Sequence, residues 1–215
     1  MIKRLFLTSS IGTPGVAASV YSKIGSNKPL KTAFITTPVE PPSEQEDLSW
    51  LKEDRDAMVS AGFMVFDYTV TGKTRKQLDK DLGDINVLYV SGGDTPYLLQ
   101  QSRASGFVDF VHDFVNTGRP YVSTSAGSII TGPVMPGYLI ESDASPRLSD
   151  TTCYHIVNFT VLPHWGSPWF KERYLNGRMA EIYAPDDVPY ILLNDNEYVE
   201  VNGDWYRIVD VRSEK

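Results

Sequence analysis

Tyr121-Val122-Ser123-Thr124-Ser125-Ala126-Gly127 is the stretch on which the reading of this chain turns. Four residues suited to a buried strand run straight into a serine with small neighbours, and an apolar stretch follows. A small-x-Ser-x-small turn between strand and helix is the pattern of a nucleophile elbow. The bend is sharp, so its flanks must be small. Ser123 and Gly127 meet that need, although Ser123 stands where glycine is usual. Such a turn lifts the hydroxyl above a sheet and aims the backbone N–H of Ala126 at a reacting oxygen. The plainer reading makes Ser125 only the N-cap of a helix. A free hydroxyl is a weak nucleophile, so the chemical reading requires a base elsewhere in the chain.

Outward from this turn, strand-like and helix-like stretches alternate. Upstream, Leu5-Phe6-Leu7 and Ala33-Phe34-Ile35 read as strands, the second closed by a Pro-rich loop from Pro38 to Pro42. Ser43 to Ala61 reads as a helix, with Ser43 and Glu46 at capping-box spacing and Gly62 as its stop. Phe63 to Phe66 is a strand, Thr74 to Leu82 a short polar helix, and Val87 to Val90 a buried strand. Ser91-Gly92-Gly93-Asp94 is a tight loop, after which Thr95 opens a helix through Gln101 with Pro96 at its favoured start. Phe107 to Asn116 is a further helix. Uninterrupted apolar strands alternating with helices imply an α/β three-layer sandwich with a mostly parallel sheet. Sites in such sheets lie beyond the carboxyl ends of strands. The Gly92-Gly93 loop and Ser125 both follow strands and are expected on one edge of the sheet.

The last third is less regular. Val157 to Leu162 reads as a strand and Phe170 to Tyr183 as a helix interrupted by Gly177. Tyr190 to Leu193, Tyr198 to Val201 and Trp205 to Val209 read as short strands, the last two joined across Asn202-Gly203, a hairpin signal. No repeat, low-complexity run or linker stands out, so residues 1–215 are expected to form a single domain.

Bulk properties narrow the classes. The formal net charge of -7 argues against nucleic acid or an anionic membrane as partner, since both need a basic face. Cys153 is the single cysteine, which excludes a disulfide framework within the chain. Without CxxC or a Cys/His cluster, a structural zinc site is not expected. The apolar run after Met1-Ile2-Lys3-Arg4 is too short for a signal peptide, and no apolar segment reaches membrane-spanning length. A cytoplasmic location is the resulting expectation.

Three histidines are candidates for the base. His112 lies within a helical stretch, and His155 precedes a strand. His164 follows the apolar run Val161-Leu162-Pro163, at a strand end where a base for Ser125 belongs. A third group would orient its imidazole. Asp195 follows a strand, and Asp143 lies soon after the elbow; Glu141 and Glu197 are weaker candidates. The residues alone do not choose between the two aspartates. The Gly92-Gly93 loop could add a second N–H donor beside that of Ala126 for a developing oxyanion. It also reads as a plain glycine turn or as a phosphate cradle. The chain lacks GxxxxGK[ST], and no GxGxxG follows its strands.

Three pieces together resemble the peptidase E family, the aspartyl dipeptidases and their cyanophycinase relatives. Ser91-Gly92-Gly93-Asp94-Thr95 is similar to that family's Gly-Gly-Gly-Asn-Thr loop. Ser123-Thr124-Ser125-Ala126-Gly127 is similar to its Ser-Ala-Gly elbow, and Leu162-Pro163-His164-Trp165 to its Pro-His-aromatic segment. The resemblance implies a fold similar to class I glutamine amidotransferases, with Ser125 as nucleophile and His164 as base. It aligns Asp195 with a family acid and Asp143 with another, and gives Gly93 and Ala126 to the oxyanion hole; Asp195 is favoured because Leu193-Asn194-Asp195-Asn196 sits at a strand end. Ser91 and Asp94 depart from the usual glycine and asparagine. The implied activity is serine-type hydrolysis of a small peptide substrate, dipeptides with N-terminal aspartate included, without metal or organic cofactor. A cation should read that aspartate; Lys171, Arg173 and Arg178 are placed for it, and arginine matches a carboxylate better. Two rival expectations are a non-catalytic small-molecule or peptide-binding protein on the same fold, and a cysteine enzyme using Cys153.

Overall fold

A computed structural model describes residues 3–41, 47–140, 146–183 and 188–214. Among these, seven strands form one sheet in the order β3-β2-β4-β5-β1-β8-β9. They are β1 (Arg4–Thr8), β2 (Leu30–Ile35), β3 (Phe63–Tyr68), β4 (Val87–Val90), β5 (Tyr121–Thr124), β8 (Glu197–Asn202) and β9 (Trp205–Asp210). The first five pair in parallel, and β8 joins β1 antiparallel, followed by the hairpin partner β9. The expected hairpin across Asn202-Gly203 is present.

Successive residues of a strand point to opposite faces, which is how one sheet builds two cores. Leu5 and Leu7 of β1, with Leu88 and Val90 of β4, pack against α3 (Arg75–Leu82), α4 (Thr95–Ser105) and α5 (Phe107–Asn116). Phe6, Phe34, Tyr89 and Val122 pack on the opposite face against α1 (Val16–Ile24) and α2 (Ser49–Ala61). The result is the expected three-layer sandwich with a mostly parallel sheet.

Several elements differ from the sequence expectation. Helix α1, held between Gly15 and Gly25, was not expected; Val16 and Val20 are poor helix formers, and burial of Val16, Ala17, Val20 and Ile24 overrides their propensity. Helix α2 begins at Ser49, after Leu48, so the expected start at Ser43 is too early. The Ser43–Glu46 capping pair lies outside the described residues. The expected strand from Val157 shrinks to β6 (Thr160–Leu162), which pairs in parallel with β7 (Tyr190–Leu192) in a separate two-stranded sheet. The expected helix from Phe170, interrupted at Gly177, is present: Lys171–Arg173 is α-helical, Tyr174–Arg178 widens into a π-helix that contains Gly177, and Met179–Ile182 returns to α. No helix of the described residues is long and apolar enough to cross a membrane.

Candidate active site

The carboxyl ends of β1, β4 and β5 converge, and β6 and β7 deliver their own carboxyl ends to the same place. Ser125 follows β5. Its backbone sits at φ 49° and ψ −109°, a sparsely populated region that costs on the order of 1–3 kcal/mol. Its surroundings hold it there. The Ser125 N–H donates to Thr8 O at 3.2 Å, and the Gly127 N–H to Ser91 O at 3.2 Å. The Tyr121 hydroxyl donates to Gly127 O at 2.8 Å. The Ser128 hydroxyl reaches Thr8 O at 2.8 Å and lies 2.9 Å from Ser123 Oγ. That last pair explains why serine is accepted at 123: its hydroxyl is buried and has a partner.

After β6, Pro163 leads to His164, whose backbone is left-handed at φ 67°. After β7, Leu193 and Asn194 lead to Asp195. The two tips are laced together, Leu193 N–H donating to Leu162 O at 3.0 Å and Trp165 N–H to Leu193 O at 2.9 Å. The outcome is a row of side chains. Ser125 Oγ lies 3.0 Å from His164 Nε2, and His164 Nδ1 lies 2.7 Å from Asp195 Oδ1. Burial pushes the Asp195 carboxyl upward, but the hydrogen bond and charge of His164 and the hydrogen bond from Ser9 outweigh it, leaving it below the usual carboxylate range. Such a row can pass a proton from hydroxyl to imidazole while a carboxylate holds the ring's orientation.

The glycine loop sits beside it. Gly93 follows β4 at φ 128°, and a Cβ there would lie 2.4 Å from Pro38 O, so only glycine fits. The Asp94 N–H donates to Pro38 O at 2.7 Å, pinning the loop. Asp94 also caps α4, its carboxylate accepting from Tyr97 N–H at 2.7 Å, so aspartate serves where the resembled family carries asparagine. Among the described residues, no hydrogen-bond acceptor is assigned to the N–H of Gly93 or of Ala126.

The other candidates fall elsewhere. His112 Nε2 meets Tyr154 O at 2.7 Å, and His155 Nε2 meets Asn158 Oδ1 at 3.1 Å. The Glu197 carboxylate accepts from Asn194 N–H at 2.9 Å and so shapes the Asp195 turn. Asp143 and Glu141 lie outside the described residues. Arg178 is buried at 4% exposure, donates to Pro163 O at 2.7 Å, and is surrounded by the rings of Tyr138, Phe170 and Tyr174. Arg173 is exposed and lies over Phe170, 5.2 Å from its centroid. Cys153 is buried, and burial pushes its thiol up to about 12, which leaves it protonated and inert.

Three contributors escaped the sequence reading. Ser9, fully buried after β1, accepts from His164 N–H at 2.7 Å and donates to Asp195 Oδ1 at 2.8 Å. Phe170 stacks on the imidazole of His164 with centroids 4.0 Å apart and planes 14° apart. Trp50 of α2 approaches Ser125 across Gly92. The signal for Ser9 was its place just after a strand of the same sheet edge; Phe170 and Trp50 carried none beyond being aromatic.

A mostly parallel α/β sandwich with a serine, a histidine and an aspartate in hydrogen-bonded order at the strand ends has the layout of a serine hydrolase. The profile of peptidase family S51 matches residues 27–209, and the chain belongs to that family: it is a peptidase of serine type. It is 28% identical over 206 residues to the uncharacterized peptidase Lmo0363 of Listeria monocytogenes, covering 94% of this chain and 96% of that one. It is 25% identical over 154 residues to peptidase E of Streptomyces coelicolor, covering 70% and 61%. A crystal structure described as a peptidase E protein from Listeria monocytogenes EGD-e shares the fold with a TM-score of 0.81 at 23% identity, covering 98% of this chain and 99% of that one. A peptidase from an acI-B1 Actinobacterium shares it with a TM-score of 0.74 at 20% identity, covering 98% and 88%.

Proposed function

We propose that this peptidase cleaves short peptides, dipeptides with N-terminal aspartate among them, through a Ser125–His164–Asp195 triad and an acyl-enzyme. The observation that carries the reading is the unbroken row from Ser125 Oγ to His164 Nε2 at 3.0 Å and from His164 Nδ1 to Asp195 Oδ1 at 2.7 Å. In the first step Ser125 Oγ bonds to the carbonyl carbon as its proton passes to His164 Nε2. The tetrahedral oxyanion rests against the N–H groups of Gly93 and Ala126. Collapse breaks the C–N bond, and His164 returns the proton to the leaving amine. Water then attacks the acyl-enzyme with His164 again as base, releasing the acid and restoring the Ser125 hydroxyl.

For the substrate carboxylate the candidates are Arg173 and Arg178. Both guanidinium groups lie over Phe170, the ring stacked on His164, at 5.2 and 5.1 Å from its centroid. What supports them is this closeness together with the bidentate match of guanidinium to carboxylate.

Ser125→Ala is the direct test. Purified, folded variant should lose hydrolysis on the order of a thousandfold or more in kcat. An unchanged rate would end the proposal. Asp195→Asn should cost far more than Asp143→Asn; the reverse order would move the acid's role to Asp143. A dipeptide panel comparing N-terminal Asp with other residues tests the specificity, and a flat profile would remove it.

A further inference from the structure

Helix α2 lies on the face of the sheet opposite α4 and brings Trp50 to the edge of the site. Trp50, in its first turn, is half-buried. A Cβ placed on Gly92 would lie 3.3 Å from Ser125 Cβ, 3.4 Å from Trp50 Cζ3 and 3.6 Å from Trp50 Cη2. The side chain of the nucleophile and the benzo edge of the indole therefore both border Gly92, and a methyl group there would press on both. Side chains at i and i+4 share a helix face, so the residue one turn on from Trp50 lies on the same side of α2. That residue is Asp54, 3% exposed. Its carboxylate accepts from the Gly12 N–H at 2.9 Å and from the Tyr89 hydroxyl at 2.9 Å, tying α2 to the loop after β1 and to β4. The first turns of α2, which carry the indole, are thus anchored to the sheet.

We propose that Trp50 is a specificity-determining residue: its indole closes the Gly92 side of Ser125, so the site takes short peptides and turns away chains that carry bulk on that side of the attacked carbonyl. An extended polypeptide needs an open groove on both sides of the nucleophile, and the indole stands where one side of that groove would run. The proposal rests on the reading of Ser125 as nucleophile.

Two fluorophosphonates test it, one with methyl and ethoxy groups and one whose alkoxy group is benzyloxy. In either case Ser125 Oγ bonds to phosphorus, fluoride leaves and the hydroxyl proton passes to His164. Labelling rates are measured by intact mass for the wild type, Trp50→Ala and Trp50→Phe, with folding checked by thermal melting. The wild type should favour the small probe by about tenfold or more, since steric misfit in a closed pocket is worth at least that much. Trp50→Ala should bring the two rates together, and Trp50→Phe should fall between. Equal rates in the wild type, or an unchanged preference in the folded variants, would overturn the role of Trp50. If the folded wild type takes neither probe, the nucleophile reading itself fails, and the proposal with it.

Discussion

Ser9 is hydrogen-bonded to Asp195: its hydroxyl donates to Oδ1 at 2.8 Å, the same oxygen that His164 Nδ1 approaches at 2.7 Å. The Ser9 oxygen also receives the backbone N–H of His164 at 2.7 Å. One buried hydroxyl therefore sets the position of Asp195 relative to the backbone that carries the imidazole.

Ser9→Ala should lower kcat about tenfold or more while leaving KM close to the wild-type value, because small misplacement of a catalytic group costs rate far more than binding. It also strips an acceptor from a mostly buried N–H, a loss of about 1–3 kcal/mol in stability. Ser9→Thr, which keeps the hydroxyl, should recover part of the rate. Separate kcat and KM values for the two variants check this; a full-rate Ser9→Ala would show that Ser9 positions nothing.

How much of this could be read from residues alone depends on how far apart the partners stand in the chain. The elbow is local, so Tyr121 to Gly127 announced itself, and the alternation of buried strands with helices was enough for the three-layer sheet. His164 and Asp195 were recognisable as strand-end residues. Their meeting, however, depends on β6 pairing with β7, Thr160 lying opposite Tyr190, about 30 positions away in the chain, which no periodicity reports. The Ser9 contact spans 155 residues to His164 and 186 to Asp195. Nothing in Thr8-Ser9-Ser10 says which hydroxyl turns inward. Trp50 and Phe170 are aromatic residues at ordinary helical positions, and only the packing of α2 and of the segment after His164 brings them to the site. Helix α1 carries no strong sequence signal, because Val16 and Val20 are poor helix formers and burial holds it.

Asp54 makes stability depend on pH. It is buried, and that burial pushes its carboxyl up to about 7, while the hydrogen bonds from Tyr89 and Gly12 work in the opposite direction. Unfolded, the group would titrate near 4. Between these values the folded protein holds a proton that the unfolded chain has released. Its contribution to stability is therefore fully present below about pH 4 and lost as pH rises through about 7. The loss is on the order of a few kcal/mol. Asp54→Asn, whose oxygen can accept from the Gly12 N–H while its amide donates to the Tyr89 oxygen, should flatten this fall. Urea midpoints at pH 5 and pH 8 should show the wild type weakening more than the variant by about 2 kcal/mol or more. Parallel pH dependence in the two proteins would show that Asp54 is not the group responsible.

Gly127 shows what the elbow demands of its neighbours. A Cβ at this position would lie 2.3 Å from Val90 O and 2.9 Å from Val90 C, both backbone atoms of the interior strand β4. They cannot yield by a side-chain rotation. The Gly127 N–H and carbonyl are also committed, to Ser91 O at 3.2 Å and to the Tyr121 hydroxyl at 2.8 Å, so moving the turn away from β4 would break contacts that support Ser125. Gly127→Ala should destabilise the fold by about 3 kcal/mol, the upper part of the range for overpacking a close-packed interior. In a chain of this size that corresponds to a melting temperature lower by roughly 10 °C. Any variant that remains folded should have a displaced hydroxyl and should react more slowly with the small fluorophosphonate, even though Ser125, His164 and Asp195 are unchanged. A variant with wild-type melting and wild-type labelling would mean that the close approach of the turn to Val90 constrains neither the fold nor the nucleophile.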